Sequence, residues 1–251
     1  MRQAYDHNAR KLWIANVHDP KVAAYDLELF LDMAWDINSV SSSTIQSHLY
    51  NWLCRQFGNK AGSKLLPVMK EYYRLCGIRR PEFMGWSQTE LDKQAFSKGL
   101  SPMADTDFNQ NEFGNEMNRY LCSYQKLKIA VADIKKMIRP DLYDAYFAAI
   151  QYPVYSAADM SEKTLEAQKS RVYSQDSLSA NSRIDMIRSA VKSIKAYNEI
   201  QSLTSYYNNI MSGGKWKYLM SDKPRELPVF GPPVIPITPT ENEMRQYDDN
   251  D

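Results

Sequence analysis

The chain has 251 residues and a formal net charge of +1, enough length for one large domain or two small ones. Its 31 Lys and Arg residues balance 30 Asp and Glu residues, so we expect neither nucleic acid nor anionic lipid as a partner. No apolar run approaches the ~20 residues of a membrane span, which excludes a transmembrane class. Three widely spaced cysteines, Cys54, Cys76 and Cys122, predict free thiols and no disulfide framework or paired-cysteine metal site.

The first predicted elements are a short helical end, a strand and a helix. Residues 2–9 are typical of the end of a helix, and no apolar signal-peptide core precedes Arg10, which leaves the localisation unknown. Residues 12–17 form a short continuous apolar run, which favours a parallel strand covered on both faces. Between Asp26 and Trp35 the apolar residues recur at helical spacing.

The middle of the chain predicts mainly helix. A first helix follows the serines at 41–43 and ends at Gly58, and a second begins at Asn59 with a kink at Pro67. Pro140 opens a shorter helix that Pro153 is expected to end. Apolar stripes predict three more helices, at residues 113–138, 156–173 and 184–210.

The composition changes beyond Trp216, because prolines then recur at positions 224, 228, 232, 233, 236 and 239. Such a segment excludes regular helix and favours an extended linker, here followed by an acidic tail at 248–251. The predicted fold class is therefore mainly α, with an antiparallel bundle of about five helices at residues 37–217. A strand-helix unit at residues 1–36 precedes the bundle, and a Pro-rich linker and tail at 218–251 follow it.

Several short motifs follow one another in a recognisable order. They lie at residues 12–21, 29–36, 56–58, 79–82, 144–146, 151–154, 206–208 and 214–216. In this order they resemble glycoside hydrolase family 115, the xylan α-glucuronidases, and the resemblance extends over residues 1–236. Two departures concern the loop after the strand: His18 stands where the family usually has Gly, and Lys21 follows Pro20 where the family has Lys before Pro.

The resemblance implies that residues 1–36 are the carboxyl-terminal remnant of a (β/α)8 catalytic barrel and that the bundle follows it. In the family, most of the barrel with its catalytic carboxylates precedes this segment, and a β-rich domain follows the linker. The chain then looks like a fragment whose partners are those two parts, with glucuronoxylan as the substrate of the whole and a homodimer left open. We expect no catalytic residue, cofactor or metal in this chain, and the family is usually secreted or periplasmic.

Candidate substrate-binding residues follow the predicted strand, at Asn16, His18, Asp19 and Lys21. In a parallel barrel the carboxyl ends of the strands carry the active site. Asn16 can bind sugar hydroxyls, and His18 or Lys21 can bind a uronic carboxylate through charge-assisted hydrogen bonds. A structural alternative stays open, because Asn16 and Asp19 can instead cap the following turn.

The remaining candidates leave the function class open. Glu82 resembles half of a glycosidase carboxylate pair, but nothing fixes a second carboxylate at the required roughly 5–10 Å, and a salt bridge is favoured. Tyr206, Tyr207, Lys215 and Trp216 can bind the rim of a carbohydrate, but closure of the end of the bundle by these residues is favoured. His48 has no partner at metal-ligand spacing in the sequence. The alternatives to a hydrolase fragment are a free-standing helical interaction module and a carbohydrate-binding module.

Overall fold

A computed structural model describes residues 1–17, 19–85, 104–175 and 180–247. Over these residues the protein is mainly helical, as the sequence predicts, and has no strand. No helix in this described part is long and apolar enough to cross a membrane. Contacts divide the chain into a first unit, Met1–Glu71 with Ile129–Gln151, and a second unit, Tyr72–Lys128 with Tyr152–Asp251. The domain boundaries predicted at residues 36 and 217 stay a prediction.

The helices are labelled in chain order. They are α1 (Arg2–Asp6), α2 (Ala24–Trp35), α3 (Ile45–Phe57), α4 (Asn59–Ile78), α5 (Glu116–Lys135), α6 (Tyr143–Tyr146), α7 (Tyr152–Gln175), α8 (Ala180–Asn209) and α9 (Glu241–Gln246). Short 3-10 turns lie at Pro81–Phe83, Pro140–Leu142, Met211–Gly214, Pro224–Glu226 and Pro228–Phe230. A π-helical turn spans Phe147–Gln151.

In the first unit, two glycines set the packing of α3 on α4. Gly58 ends α3 with a φ of 84°, a backbone conformation that side chains other than glycine rarely adopt. A Cβ at Gly62 would lie 2.6 Å from the Cys54 Sγ and 2.9 Å from its backbone nitrogen, so α4 touches α3 at this point. The Phe57 ring then packs edge-on against Tyr146, with ring centroids 5.5 Å apart.

The prediction that Pro153 ends a helix is wrong, because α7 includes Pro153 in its first turn. Proline lacks an N–H, and its ring clashes with the carbonyl four residues earlier in a regular α-helix. The π-helical turn Phe147–Gln151 lies directly before it. This wider turn accommodates the missing donor, so the backbone stays helical through the proline.

The barrel strand predicted at residues 12–17 is not confirmed, since these residues have no regular secondary structure. Leu12 and Ile14 are exposed, and Trp13 contacts the Phe30 ring of α2 at a centroid distance of 5.9 Å. A strand needs a neighbouring strand for its backbone hydrogen bonds. The described residues contain no strand that could pair with this segment.

In the second unit, α7 and α8 form an antiparallel pair. The Tyr152 and Thr204 hydroxyls lie 3.0 Å apart, and the Ser170 hydroxyl donates to the Met186 carbonyl at 2.9 Å. One contact joins the start of α7 to the end of α8, and the other joins the end of α7 to the start of α8. The two helices therefore run in opposite directions along their length, as predicted for neighbours in the bundle.

The extended linker predicted from residue 218 onward is not confirmed. Residues 224–234, which we call the strap, pack against α7 within the second unit. Leu227 and Val229 of the strap are buried beside Met160 of α7. The prolines exclude long helix, as expected, but the strap forms two 3-10 turns and fixes its apolar side chains in the core. The acidic tail at 248–251 lies outside the described residues.

A buried lysine holds the strap in place. Lys163 of α7 donates from Nζ to the Val229 carbonyl at 2.7 Å and to the Gly231 carbonyl at 3.0 Å. Its ammonium also lies 5.7 Å from the centre of the Tyr197 ring. Burial lowers the pKa of Lys163 to about 8, because the charged form is poorly solvated there.

The two isoleucines of α5 offer a matched test of the first unit's core. Ile134 is 4% exposed and Ile129 is 63% exposed. We expect Ile134→Ala to lower the free energy of unfolding by about 2–5 kcal/mol and Ile129→Ala to change it by less than about 0.5 kcal/mol. Denaturant unfolding measures both, and equal effects would contradict the packing described here.

The hydrogen bonds from Lys163 predict a local effect on the strap. Lys163→Met removes both donors, so the Val229 and Gly231 carbonyls lose their partners inside the protein. We expect the amides of Phe230 and Gly231 to exchange with solvent at least about tenfold faster. Lys217→Met, at an exposed site, is the control. Unchanged exchange in the Lys163 variant would show that the strap does not depend on this side chain.

Candidate functional site

Three of the predicted substrate-binding residues, Asn16, Asp19 and Lys21, lie in non-helical backbone between α1 and α2. Asn16 is exposed, and Asp19 and Lys21 are partly buried. His18 lies outside the described residues. Sugar binding by these four residues stays a prediction.

The first unit contains a cluster of metal-ligating side chains that joins α2 to α3. Glu28 and Asp32 lie one helical turn apart on α2, and His48 lies on α3. His48 Nε2 is 2.9 Å from Asp32 Oδ2. One ligating atom from each of the three residues lies within 4.8 Å of the other two. We call this group the acid-histidine cluster.

The surroundings of the cluster hold the imidazole and neutralise one carboxylate. The Arg55 guanidinium of α3 pairs with Glu28. The Tyr25 ring lies 5.7 Å from the His48 ring, which is largely buried. The Nδ1 atom of His48 is buried and has no hydrogen-bond partner within the described residues. Nε2 is thus the ring nitrogen that is hydrogen-bonded in this cluster.

Sequence reasoning missed this cluster because it considered His48 alone. One signal was available: Glu28 and Asp32 are four residues apart in a predicted helix, which places both carboxylates on one face. The packing of α2 on α3 brings His48 to that face. The spacing of the three residues along the sequence does not predict this packing.

The second unit contains a polar groove whose lining includes a buried ion pair. Lys128 Nζ of α5 lies 2.6 Å from Asp159 Oδ1 of α7, and the Asp159 side chain is 1% exposed. The groove has a volume of about 510 Å³. Charged side chains from α7, α8 and α9 line the rest of it, namely Glu162, Lys192, Lys195, Glu199 and Arg245.

Burial dominates the electrostatics of this ion pair. It raises the pKa of Asp159 to about 7, although the Lys128 ammonium acts in the opposite direction. A carboxyl group with such a pKa can exchange a proton near neutral pH. However, Lys128 binds one carboxylate oxygen, and the other is buried without a partner among the described residues. A polysaccharide cannot reach either oxygen, so the ion pair fixes α5 against α7 and is not placed for catalysis.

The raised pKa of Asp159 predicts a pH-dependent stability. Between about pH 4 and pH 7 the folded protein retains a proton on Asp159 that the unfolded chain loses, so the free energy of unfolding falls as the pH rises. Asp159→Asn removes this titration. We expect the stability of the wild type relative to the variant to decrease over this range, by at most about 1.4 kcal/mol per pH unit. If the free energies of unfolding of the wild type and the variant changed with pH in the same way, the burial of this carboxyl group would be contradicted.

The other candidates lie in the second unit. Glu82 is partly buried in the 3-10 turn Pro81–Phe83. After the end of α8, the Lys215 ammonium lies 5.0 Å from the centre of the Trp216 ring. Tyr206 is exposed near the end of α8. Closure of the end of the helices by these aromatic residues stays a prediction, as does the alternative that they bind sugar.

Comparison with known proteins finds a similarity in the amino-terminal third of the chain. Residues 1–83 match the model of glycosyl hydrolase family 115. No curated protein matches the chain. The matched range contains α1 to α4, the candidate residues Asn16, Asp19 and Lys21, and the acid-histidine cluster. The match supports the family resemblance that the motifs indicate: over residues 1–83 the chain is similar to glycosyl hydrolase family 115.

Proposed function

We propose that this chain is the helical part of a xylan α-glucuronidase-like glycoside hydrolase, which removes glucuronic or 4-O-methylglucuronic acid from xylan when the enzyme is whole. The observation that carries the proposal is the family match over residues 1–83. The helical part packs against the catalytic barrel and helps to shape the access of glucuronoxylan. It does not cleave the substrate alone.

Exposed apolar side chains in the first unit support a packing role. Leu12 and Ile14 are exposed before α2, and Leu31 and Trp35 are exposed on α2, Trp35 to 93%. Leaving such a set in water is unfavourable, and neighbouring exposed apolar side chains commonly mark a surface that another protein part covers. The barrel of the parent enzyme is the proposed cover for this surface.

The burial of Asp159 supports the proposal that this carboxyl group does not catalyse cleavage in the isolated chain. Glycosidic cleavage requires two carboxyl groups that reach the scissile bond from a separation of roughly 5–10 Å. Asp159 has a suitable pKa but is buried. In the proposed whole enzyme, Asn16, His18, Asp19 and Lys21 contribute to substrate binding, and the barrel provides the catalytic carboxyl groups.

The test compares the purified chain with a full-length homologue on glucuronoxylan. We expect no release of 4-O-methylglucuronic acid by the chain above the buffer blank, because losing a general acid or base costs about 10²–10⁴-fold in rate. The homologue should release the acid readily. Release by the chain that disappears in an Asp19→Asn variant would show that the chemistry lies in this chain.

A chimera tests the positive half of the proposal. The corresponding helical segment of the homologue is replaced by residues 24–217 of this chain, and we expect the chimera to retain activity on glucuronoxylan. A second chimera with Trp35→Ser and Leu31→Ser should lose soluble, active enzyme, because the packing surface is interrupted. A matched Ile129→Ser chimera controls for exposed apolar residues in general. Equal activity of all three would refute the packing role.

A further inference from the structure

We propose that the acid-histidine cluster of Glu28, Asp32 and His48 binds a divalent transition-metal ion, for which Zn²⁺ is the probe, and that the ion clips α2 to α3. The three side chains supply two carboxylate oxygens and one imidazole nitrogen. Three protein ligands and a water molecule are a common ligand set for a four-coordinate zinc ion. The proposal of a metal site does not rest on the hydrolase activity proposed above.

The distances within the cluster are close to those that a metal ion requires. With bonds of roughly 2.0–2.2 Å, two ligand atoms of a tetrahedral zinc ion lie about 3.3–3.6 Å apart. The ligating atoms here all lie within 4.8 Å of one another, and His48 Nε2 is 2.9 Å from Asp32 Oδ2. Small rotations of the Glu28 and Asp32 side chains are sufficient to reach the required spacing.

The position of the residues on two helices favours a preformed site. Glu28 and Asp32 are fixed at the i, i+4 spacing of α2, so their carboxylates share one face. His48 lies on α3 and is largely buried beside the Tyr25 ring, which limits its movement. A metal ion would therefore find its ligands with little loss of side-chain entropy.

Arg55 acts as the counter-ion of the cluster in the absence of metal. Its guanidinium pairs with Glu28, and more than half of the Arg55 side chain is exposed. A metal ion that binds Glu28 brings a larger positive charge to the same carboxylate, and Arg55 can turn into solvent. Metal and Arg55 thus compete for Glu28. A variant that lacks the Arg55 guanidinium should therefore bind the metal ion more tightly.

The ligand set selects the type of metal ion. Imidazole nitrogen suits Zn²⁺, Ni²⁺ and Cu²⁺, whereas Mg²⁺ and Ca²⁺ prefer oxygen ligands throughout. The cluster contains no cysteine, so a bound ion has only nitrogen and oxygen ligands. Because the ion bridges α2 and α3, binding should raise the thermal stability of the full chain.

Calorimetric titration of the metal-free full chain with ZnCl₂ tests the site. We expect one saturable site whose affinity falls at least about tenfold in Asp32→Asn and in His48→Gln, since each variant removes a ligand. Arg55→Gln should tighten binding by about threefold or more, because the competing charge is gone. His7→Gln, which removes an exposed histidine, should bind Zn²⁺ as the wild type does.

Two further measurements identify the ligands and test whether the metal ion links α2 to α3. Co²⁺ in place of Zn²⁺ should give ligand-field absorption without a thiolate charge-transfer band. Zn²⁺ should raise the melting temperature of the wild type and of Arg55→Gln, and Mg²⁺ should not. Unchanged Zn²⁺ affinity in His48→Gln, weaker binding in Arg55→Gln, a thiolate band, or no saturable site in the wild type would each overturn the proposal. The Arg55 result decides the matter even if a ligand variant fails to fold.

Discussion

The second unit depends on the burial of α7, whose buried side chains include many polar ones. They are Asp159, Ser161, Lys163, Thr164, Glu166, Gln168 and Ser170. A buried polar group destabilises the fold unless it is hydrogen-bonded, so the surrounding segments must approach α7 where they can supply a partner. Lys128 of α5 binds Asp159, the strap carbonyls bind Lys163, and the backbone N–H and carbonyl of Thr106 bind Gln168. Hydrogen bonding to one helix thereby fixes the position of three segments that are distant in the sequence.

Apolar periodicity predicted most helices well because it reports which face of a helix is buried. It fails at backbone details that do not affect burial. The stripe predicted that α5 begins at Phe113, yet this residue is exposed and has a φ of 50°, and Asn115 has a φ of 55°. The helix therefore begins at Glu116. At Pro153 the error is the opposite one, because the proline predicts that a helix ends there. The π-helical turn before it lets the backbone stay helical.

Long-range contacts account for what the sequence could not predict. The strap has the composition of a solvated linker, but Leu227 and Val229 are buried beside Met160. Lys163, a residue type that is normally exposed, is also buried and donates to the Val229 carbonyl. Contacts between residues that are distant in the sequence also form the acid-histidine cluster. Its acidic pair has a local signature at helical spacing, whereas its histidine comes from another helix. Local patterns identify residues that share a face, and only packing identifies the faces that meet.

The two proposals for the first unit meet on α2. Glu28 and Asp32 form one stripe of this helix, and Leu31 and Trp35 form a second stripe about 60° around the helix axis. The first stripe contacts α3 through His48, and the second is exposed and is the proposed packing surface for a barrel. Whatever fixes the rotation of α2 on α3 also fixes the direction in which Leu31 and Trp35 point. A metal ion held by the first stripe would therefore orient the second, which links a local coordination site to the geometry of a larger interface.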